Sequence, residues 1–253
     1  AVTAAGNDRV DAVLLAGSKC GLHALFGLEF KTAVGIKHRA AACDDIGNRT
    51  GGEGDDLVLN ETGVAAYDAD DLNTRSHMIN YLSGGSVYNP TDKGLGVPLE
   101  LSLAFHSDAG FSKEDAWIGT LGVYTTNFND GKLNSGVSRH ASRDLTDMVL
   151  TGLQNDISKR YGAIWPRRGM WNRNYSETRL PAVPSMILEI LSHQNFADMR
   201  MGHEHDFKFT VARSVYKSIL RYNAMMHDAD YVVQPLPVTR FAIEEASKNS
   251  FRL

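Results

Sequence analysis

Three polar side chains interrupt stretches that otherwise read as buried strands or their edges: His106, Glu189 and His193. His106 closes the apolar run "LSLAFH" and is followed at once by Ser107, Asp108, Ala109 and Gly110. A strand that stops in small and polar residues delivers its last side chain to the rim of a sheet, where open α/β proteins keep their ligands. Glu189 stands inside "SMILEIL", where a carboxylate is costly unless it is paired, bound to a metal or held protonated. An imidazole at one strand end and a carboxylate on another strand are the elements of a hydrolytic metal site, the first as ligand and the second as ligand or general base. A histidine at a strand end also serves as a hydrogen-bonded structural residue, and that reading stands beside the first. Flanked by Ile187, Leu188 and Ile190, Glu189 is expected to hold its proton tightly, which suits a group that must both accept and donate.

Other candidates carry less. His193, in "LSHQNF", reads as a loop or capping residue. The cluster "GHEHD" (His203, Glu204, His205, Asp206) has metal-binding composition, but it directly precedes a helical repeat, so helix-start charge and capping account for its acids. His140 falls at the start of another helix and is expected at the surface. No GxSxG elbow is present, "GGSVYNP" lacks the Lys and Ser/Thr of a phosphate loop, and "LAGSKCGLHALFG" lacks the GxGxxG order. Nucleotide chemistry is therefore disfavoured. Cys20 and Cys43 form no CxxC or Cys/His knuckle, which argues against a finger-type zinc site; they are compatible with a disulfide in an exported protein or with two buried thiols.

The elements that must position His106 and Glu189 follow from periodicity. "DAVLLAG" (Asp11 to Gly17) reads as a strand, and the rest of residues 1–70 is dominated by Gly, Asp and Asn punctuation. "DLNTRSHMINYLSGG" places Leu72, Met78, Ile79 and Leu82 on a helical repeat that stops at Gly84 and Gly85, and it feeds the 101–106 strand. "AWIGTLGVYTT" has strand character, "SRHASRDLTDMVLTGLQNDISKRYG" is helical, Met186 to Leu191 is a short apolar strand, and "DFKFTVARSVYKSILRYNAMM" is a long amphipathic helix. Strands alternating with helices predict an α/β fold: a mainly parallel sheet flanked by helices.

The chain has 253 residues, 43% hydrophobic and 22% charged, enough to bury a substantial core. Its net charge of -4, from 26 Lys+Arg against 30 Asp+Glu, gives no basis for nucleic-acid binding. No apolar run reaches the roughly 18 residues of a membrane span, and the opening "AVTAAGNDRV" lacks the basic-then-apolar order of a signal peptide.

With these residues in view, the sequence resembles the zinc-dependent N-acetylmuramoyl-L-alanine amidases of the cell-wall-lytic kind. In that family a helix and turn feed a strand of the form "lfiSiHaNa"; "TRSHMINYLSGG" and "LELSLAFHSDAG" are similar, with His106 in the zinc-ligand position. The family signature "vPAvLvEigFlsN" is similar to "LPAVPSMILEILSHQNFADM", with Glu189 in the position of the catalytic acid/base. The stretch from Tyr175 to Val238 looks most like a secreted subgroup of the Bacteroides type, sometimes labelled xanthan lyases. The resemblance covers about residues 71 to 238.

It implies an amidase-like fold, a zinc cofactor, a secreted, periplasmic or cell-surface location, and a peptidoglycan or muropeptide substrate. It further implies a cleft edge in "RRGMWNRNYSETR", with Tyr175 and Arg179 as candidates for contacting the stem peptide; surface packing accounts for those two equally well. The family's two earlier zinc ligands, a His in a "GHGG"-like turn and a Glu on the first helix, have no counterpart in residues 1–70. The expectation is a sheet without its first strand and helix, needing an upstream half of the polypeptide to complete the site. Residues 1–20 would be the end of an inserted β-domain, 21–234 the C-terminal part of the amidase domain, and 235–253 a Pro-stiffened linker opening a fibronectin-like domain. His77, His23, His38 and Glu61 are the in-chain alternatives for further ligands, without motif support. Two rival readings remain: a non-catalytic relative that binds glycan or peptidoglycan, and a polysaccharide lyase.

Overall fold

The computed structural model describes residues 12–17, 64–233, 244–247 and 250–252. Among the described residues five strands form one sheet: β1 (Ala12–Gly17), β2 (Leu99–Asp108), β3 (Thr120–Tyr124), β4 (Arg167–Asn172) and β5 (Ser185–Ser192), in the spatial order β1-β2-β5-β3-β4. The pairs β1/β2, β2/β5 and β3/β4 are parallel, and β3/β5 is antiparallel. The sheet is therefore mixed but mainly parallel, as expected. β2 and β5 are central and buried on both faces, which is why "LELSLAF" and "SMILEIL" read as near-continuous apolar runs.

Among the described residues five helices accompany the sheet: α1 (Val64–Ser83), α2 (His140–Tyr161), α3 (Ser176–Arg179), α4 (Phe196–His203) and α5 (His205–Met226). α1 begins seven residues before the expected Asp71, since Val64 to Asp70 carry no residue that breaks a helix. The strand expected in residues 116–126 is confined to Thr120–Tyr124. Before it, the backbone N–H groups of Ile118 and Gly119 donate to the Asp198 carboxylate, not to a neighbouring strand.

Side-chain parity divides the sheet. Leu101, Leu103, Phe105, Met186, Leu188 and Ile190 join the main core with Leu145, Val149, Leu153 and Ile157 of α2 and Phe207, Val211, Val215 and Tyr222 of α5. α2 ends where Gly162 takes a left-handed φ of 67°, with Lys159 and Arg160 in the last turn, the arrangement that suits a helix C-terminus. Gly122 lets α2 lie close on β3, because a Cβ there would stand 2.4 Å from Thr146 Cγ2. The alternate residues Ala104, Ile187, Leu121 and Val123 cluster on the opposite face. His106 and Glu189 share that second parity.

β1 lies within the segment expected to end an inserted β-domain, and it hydrogen-bonds along β2 at the edge of this sheet. β6 (Glu244–Ser247) and β7 (Ser250–Arg252) form a separate antiparallel pair in the C-terminal segment expected to open a new domain. The rest of residues 1–20, together with His23, His38, Glu61, Cys20 and Cys43, lies outside the described residues. No helix among those described is long and apolar enough to cross a membrane.

Candidate functional site

β2 and β5 run parallel with Ala104 opposite Ile187 and His106 opposite Glu189. Register partners on parallel strands leave the sheet on the same side, so the imidazole and the carboxylate predicted from sequence stand next to each other. Immediately beyond them the register shifts between His106 and Asp108. Such an irregularity re-aims side chains at a strand end.

Neither group is solvated like a surface residue. Burial pushes the Glu189 carboxyl up to about 7; Asp108 and Glu177 add to this, while His106 and Arg168 oppose it. Glu189 Oε2 is buried without a hydrogen-bond partner among the described residues. Asp108 is itself engaged by Arg168, with Oδ2 2.5 Å from Nη1.

The structure adds a carboxylate that sequence reasoning passed over. Glu177 Oε2 lies 2.8 Å from His106 Nε2, and Glu177 Oε1 lies 3.2 Å from Arg75 Nη1. Burial works against a proton on His106, but the adjoining Glu177 carboxylate outweighs it and the imidazole's pKa is raised. For Glu177 burial acts upward, yet His106 and Arg75 together bring its pKa down. The His106 contact is close but bent: Nε2 has the distance of a hydrogen bond and not its alignment.

Glu177 is delivered by α3, and α3 is gripped from two sides. From α1, Ser76 Oγ donates to the Ser176 carbonyl and Asn80 Nδ2 donates to the Leu180 carbonyl, while Asn80 Oδ1 accepts from Ala182 N–H. From the start of α2, Arg139 donates to the carbonyls of Thr178 and Arg179. Nothing local in "YSETR" announces this role. An acid in the first turn of a short helix looks like ordinary dipole compensation, and only the fold turns Glu177 inward, where it is 6% exposed.

The remaining sequence candidates fall outside this cluster. Tyr175 is 51% exposed and precedes α3, its carbonyl accepting from the N–H groups of Thr178 and Arg179. Arg179 is half-buried, and its Nη1 donates to the Asn174 carbonyl. His193 is exposed; its N–H donates to the Asp108 carbonyl and its Nδ1 lies 3.2 Å from Ser107 Oγ, so it fastens the end of β5 to the end of β2. His77, on α1, is half-buried and forms no hydrogen bond or ion pair among the described residues. His203, Glu204, His205 and Asp206 are all exposed at the α4–α5 junction. Glu204 is the N-cap of α5 without a side-chain capping bond, and Asp206 pairs with Arg160 and Tyr161 instead of capping.

Imidazole nitrogen and carboxylate oxygen are the donors that zinc takes, and a buried Glu189 oxygen without a partner fits a site that awaits a cation or a proton. Among the described residues no group of three or more His, Cys, Asp or Glu side chains is arranged to hold a metal ion. The cluster thus fits part of a zinc site and not a whole one.

No family model and no curated protein matches the chain. Solved structures similar to it include an N-acetylmuramoyl-L-alanine amidase from Clostridium difficile 630, at 14% identity and a TM-score of 0.43 over 60% of this chain and 64% of that one. Another is the CwlD amidase from Clostridioides difficile in complex with the GerS lipoprotein, at 14% identity and a TM-score of 0.46 over 66% and 68%. A third is the N-acetylmuramyl-L-alanine amidase Ami1 from Mycobacterium smegmatis, at 15% identity and 0.41 over 54% and 64%. The chain spans under two thirds of the length of the first of these.

Proposed function

We propose that this chain carries part of the active site of a secreted or cell-surface amide hydrolase. It acts on peptidoglycan, cutting the bond between the lactyl carbonyl of N-acetylmuramic acid and the L-alanine amine. The observation that carries the reading is the register pair His106 and Glu189, with the Glu189 carboxyl raised to about 7 by burial and one of its oxygens without a partner. The motif positions of both residues support the same assignment.

His106 is the residue here that would hold zinc, with further ligands coming from residues outside those described. Zinc in such a site supplies Lewis acidity at the scissile carbonyl and lowers the pKa of water. Glu189 performs the proton transfers. As the base it accepts a proton from the water whose oxygen forms the new C–O bond. As the acid it returns that proton to the alanine nitrogen while the C–N bond breaks. A pKa close to neutral serves both halves of that cycle, since a group far from neutrality would do one half poorly.

The Asp108–Arg168 ion pair acts on Glu189 in both directions, the carboxylate raising its pKa and the guanidinium lowering it. Tyr175, just before α3, and Arg179, its last residue, are the side chains proposed to meet the stem peptide.

The test is incubation of the full-length, zinc-supplied protein with purified muropeptides, followed by mass spectrometry. Release of a free N-terminal L-alanine peptide and an intact lactyl-sugar supports the reading. Ultraviolet-absorbing unsaturated sugars from an acidic polysaccharide, without amide cleavage, would replace it with the lyase.

A further inference from the structure

We infer that Trp171 is a specificity residue for the glycan side of the substrate: its indole is the platform on which a sugar ring of the peptidoglycan strand stacks. The inference deepens the reading above and rests on it for the place of the scissile bond.

Trp171 belongs to the reactive face of the sheet. Met170 packs against the main core, so its neighbours on β4, Gly169 and Trp171, leave the strand on the opposite side. The register gives the same result. Leu121 of β3 lies between Gly169 and Glu189, and Val123 lies between Trp171 and Ile187. Leu121, Val123 and Ile187 cluster on the face that carries Glu189 and His106. Trp171 is thus displaced from Glu189 by two strand spacings, about 10 Å, and by one step of the alternation along the strands. The sheet is open between them at Gly169, where a Cβ would meet no atom beyond its chain neighbours within 4 Å. The backbone next to Trp171 is pinned. Asn172 accepts the Thr126 N–H and donates to Thr126 Oγ1, and Arg173 N–H donates to the Tyr124 carbonyl.

Trp171 is 44% exposed, and its Nε1–H has no hydrogen-bond partner among the described residues. A large flat apolar ring with one donor at its edge suits a ligand that is apolar on one face and polar around its rim. A pyranose is such a ligand, with axial C–H groups on its face and hydroxyl and acetamide groups at its edge. The other side of the scissile bond begins with L-alanine, whose methyl group needs no such platform. A cation is the rival occupant of an indole face. Arg173 and Arg179, on the segment that leaves β4, donate to the carbonyls of Asn172 and Asn174 and meet no carboxylate among the described residues. Their charges repel a cationic group. In muramic acid a single carbon and the ether oxygen separate the scissile carbonyl from the sugar ring, so a glycan with that carbonyl at Glu189 brings its rings within reach of Trp171.

The experiment uses the full-length, zinc-supplied protein labelled with ¹⁵N-tryptophan, the Trp171 indole resonance being assigned by its absence from Trp171→Phe. The probes are the peptide-free disaccharide of N-acetylglucosamine and N-acetylmuramic acid and, separately, the free stem peptide. The expected result is a shift of the Trp171 indole ¹H–¹⁵N signal with the disaccharide and none with the peptide. No shift with the disaccharide, or a larger one with the peptide, overturns the inference. Trp171→Ala should weaken disaccharide binding roughly fivefold or more and raise KM for the disaccharide-linked muropeptide likewise, with kcat within about twofold of wild type. Trp171→Phe, which keeps a flat ring, should retain most of both. A smaller loss in Trp171→Ala overturns the inference as well; should that variant fail to fold, the wild-type spectra decide alone. The binding measurement needs no cleavage. A disaccharide bound at Trp171 without muramyl-amide cleavage would therefore sink the amidase reading and leave the glycan platform standing.

Discussion

His106 and Glu189 are register partners on the adjacent parallel strands β2 and β5, and their side chains leave the sheet on the same face. Two residues 83 positions apart by their numbers are thereby made neighbours by backbone hydrogen bonding alone. Placement by a paired strand core is stiffer than placement by loops, which suits the roles proposed for this pair.

Glu189→Gln is expected to abolish muramyl-amide cleavage in the full-length protein while zinc content stays close to wild type. Loss of a general acid/base costs about 10²- to 10⁴-fold, and glutamine keeps the shape without the capacity to take up and return a proton. Turnover and bound zinc are measured on the same preparation; wild-type turnover in the variant would refute the role.

The same substitution has a signature in stability. The folded-state pKa of Glu189 is raised from 4.5 to about 7, mainly by burial. The folded chain therefore binds the proton more tightly than the unfolded chain. That contribution is fully present below the unfolded pKa and is lost as pH rises through about 7. In metal-free protein, Glu189→Gln should gain on wild type by roughly 2 to 3 kcal/mol between pH 4 and 8. Denaturant melts across that range check it, and a flat difference would mean that Glu189 titrates like a surface acid.

His203→Ala and His205→Ala are expected to leave activity within a few fold. Both side chains are exposed at the junction of α4 and α5. A collapse of zinc content in either variant would expose a site in "GHEHD" that solvent exposure argues against.

Asp198→Ala should destabilise the fold by roughly 3 kcal/mol or more. The buried carboxylate accepts the backbone N–H groups of Ile118, Gly119 and Ser192 and the amide of Asn195, joining the entry to β3 with the exit of β5. Thermal melts report the loss. A variant as stable as wild type would mean that these four donors find other partners.

Gly122→Ala is expected to cost about 1 to 3 kcal/mol through overpacking, since its Cβ would stand 2.4 Å from Thr146 Cγ2 and 3.0 Å from Leu150 Cδ1. Thr146→Ser in the Gly122→Ala background removes the offending methyl and should recover part of the loss. The comparison is made by chemical denaturation.

Much of this protein was legible from periodicity, because strand and helix patterns are local. The apolar runs ending at His106 and enclosing Glu189 identified two central strands, and the interruption of those runs by an imidazole and a carboxylate singled out the pair that the register brings together. The tightness with which Glu189 holds its proton was also foreseeable from its apolar neighbours Ile187, Leu188 and Ile190. What no local pattern contained was the partner of His106. Glu177 and Arg75 are 102 positions apart, and each is an unremarkable helix-surface charge when read with its neighbours alone. Their meeting depends on α1 gripping α3 through Ser76 and Asn80 and on Arg139 reaching the same turn from α2. Burial of a charge is a property of the assembled interior and of no single segment. The sequence by itself determined which strands carry the imidazole and the buried carboxylate of Glu189; tertiary packing alone decided that Glu177 faces the imidazole.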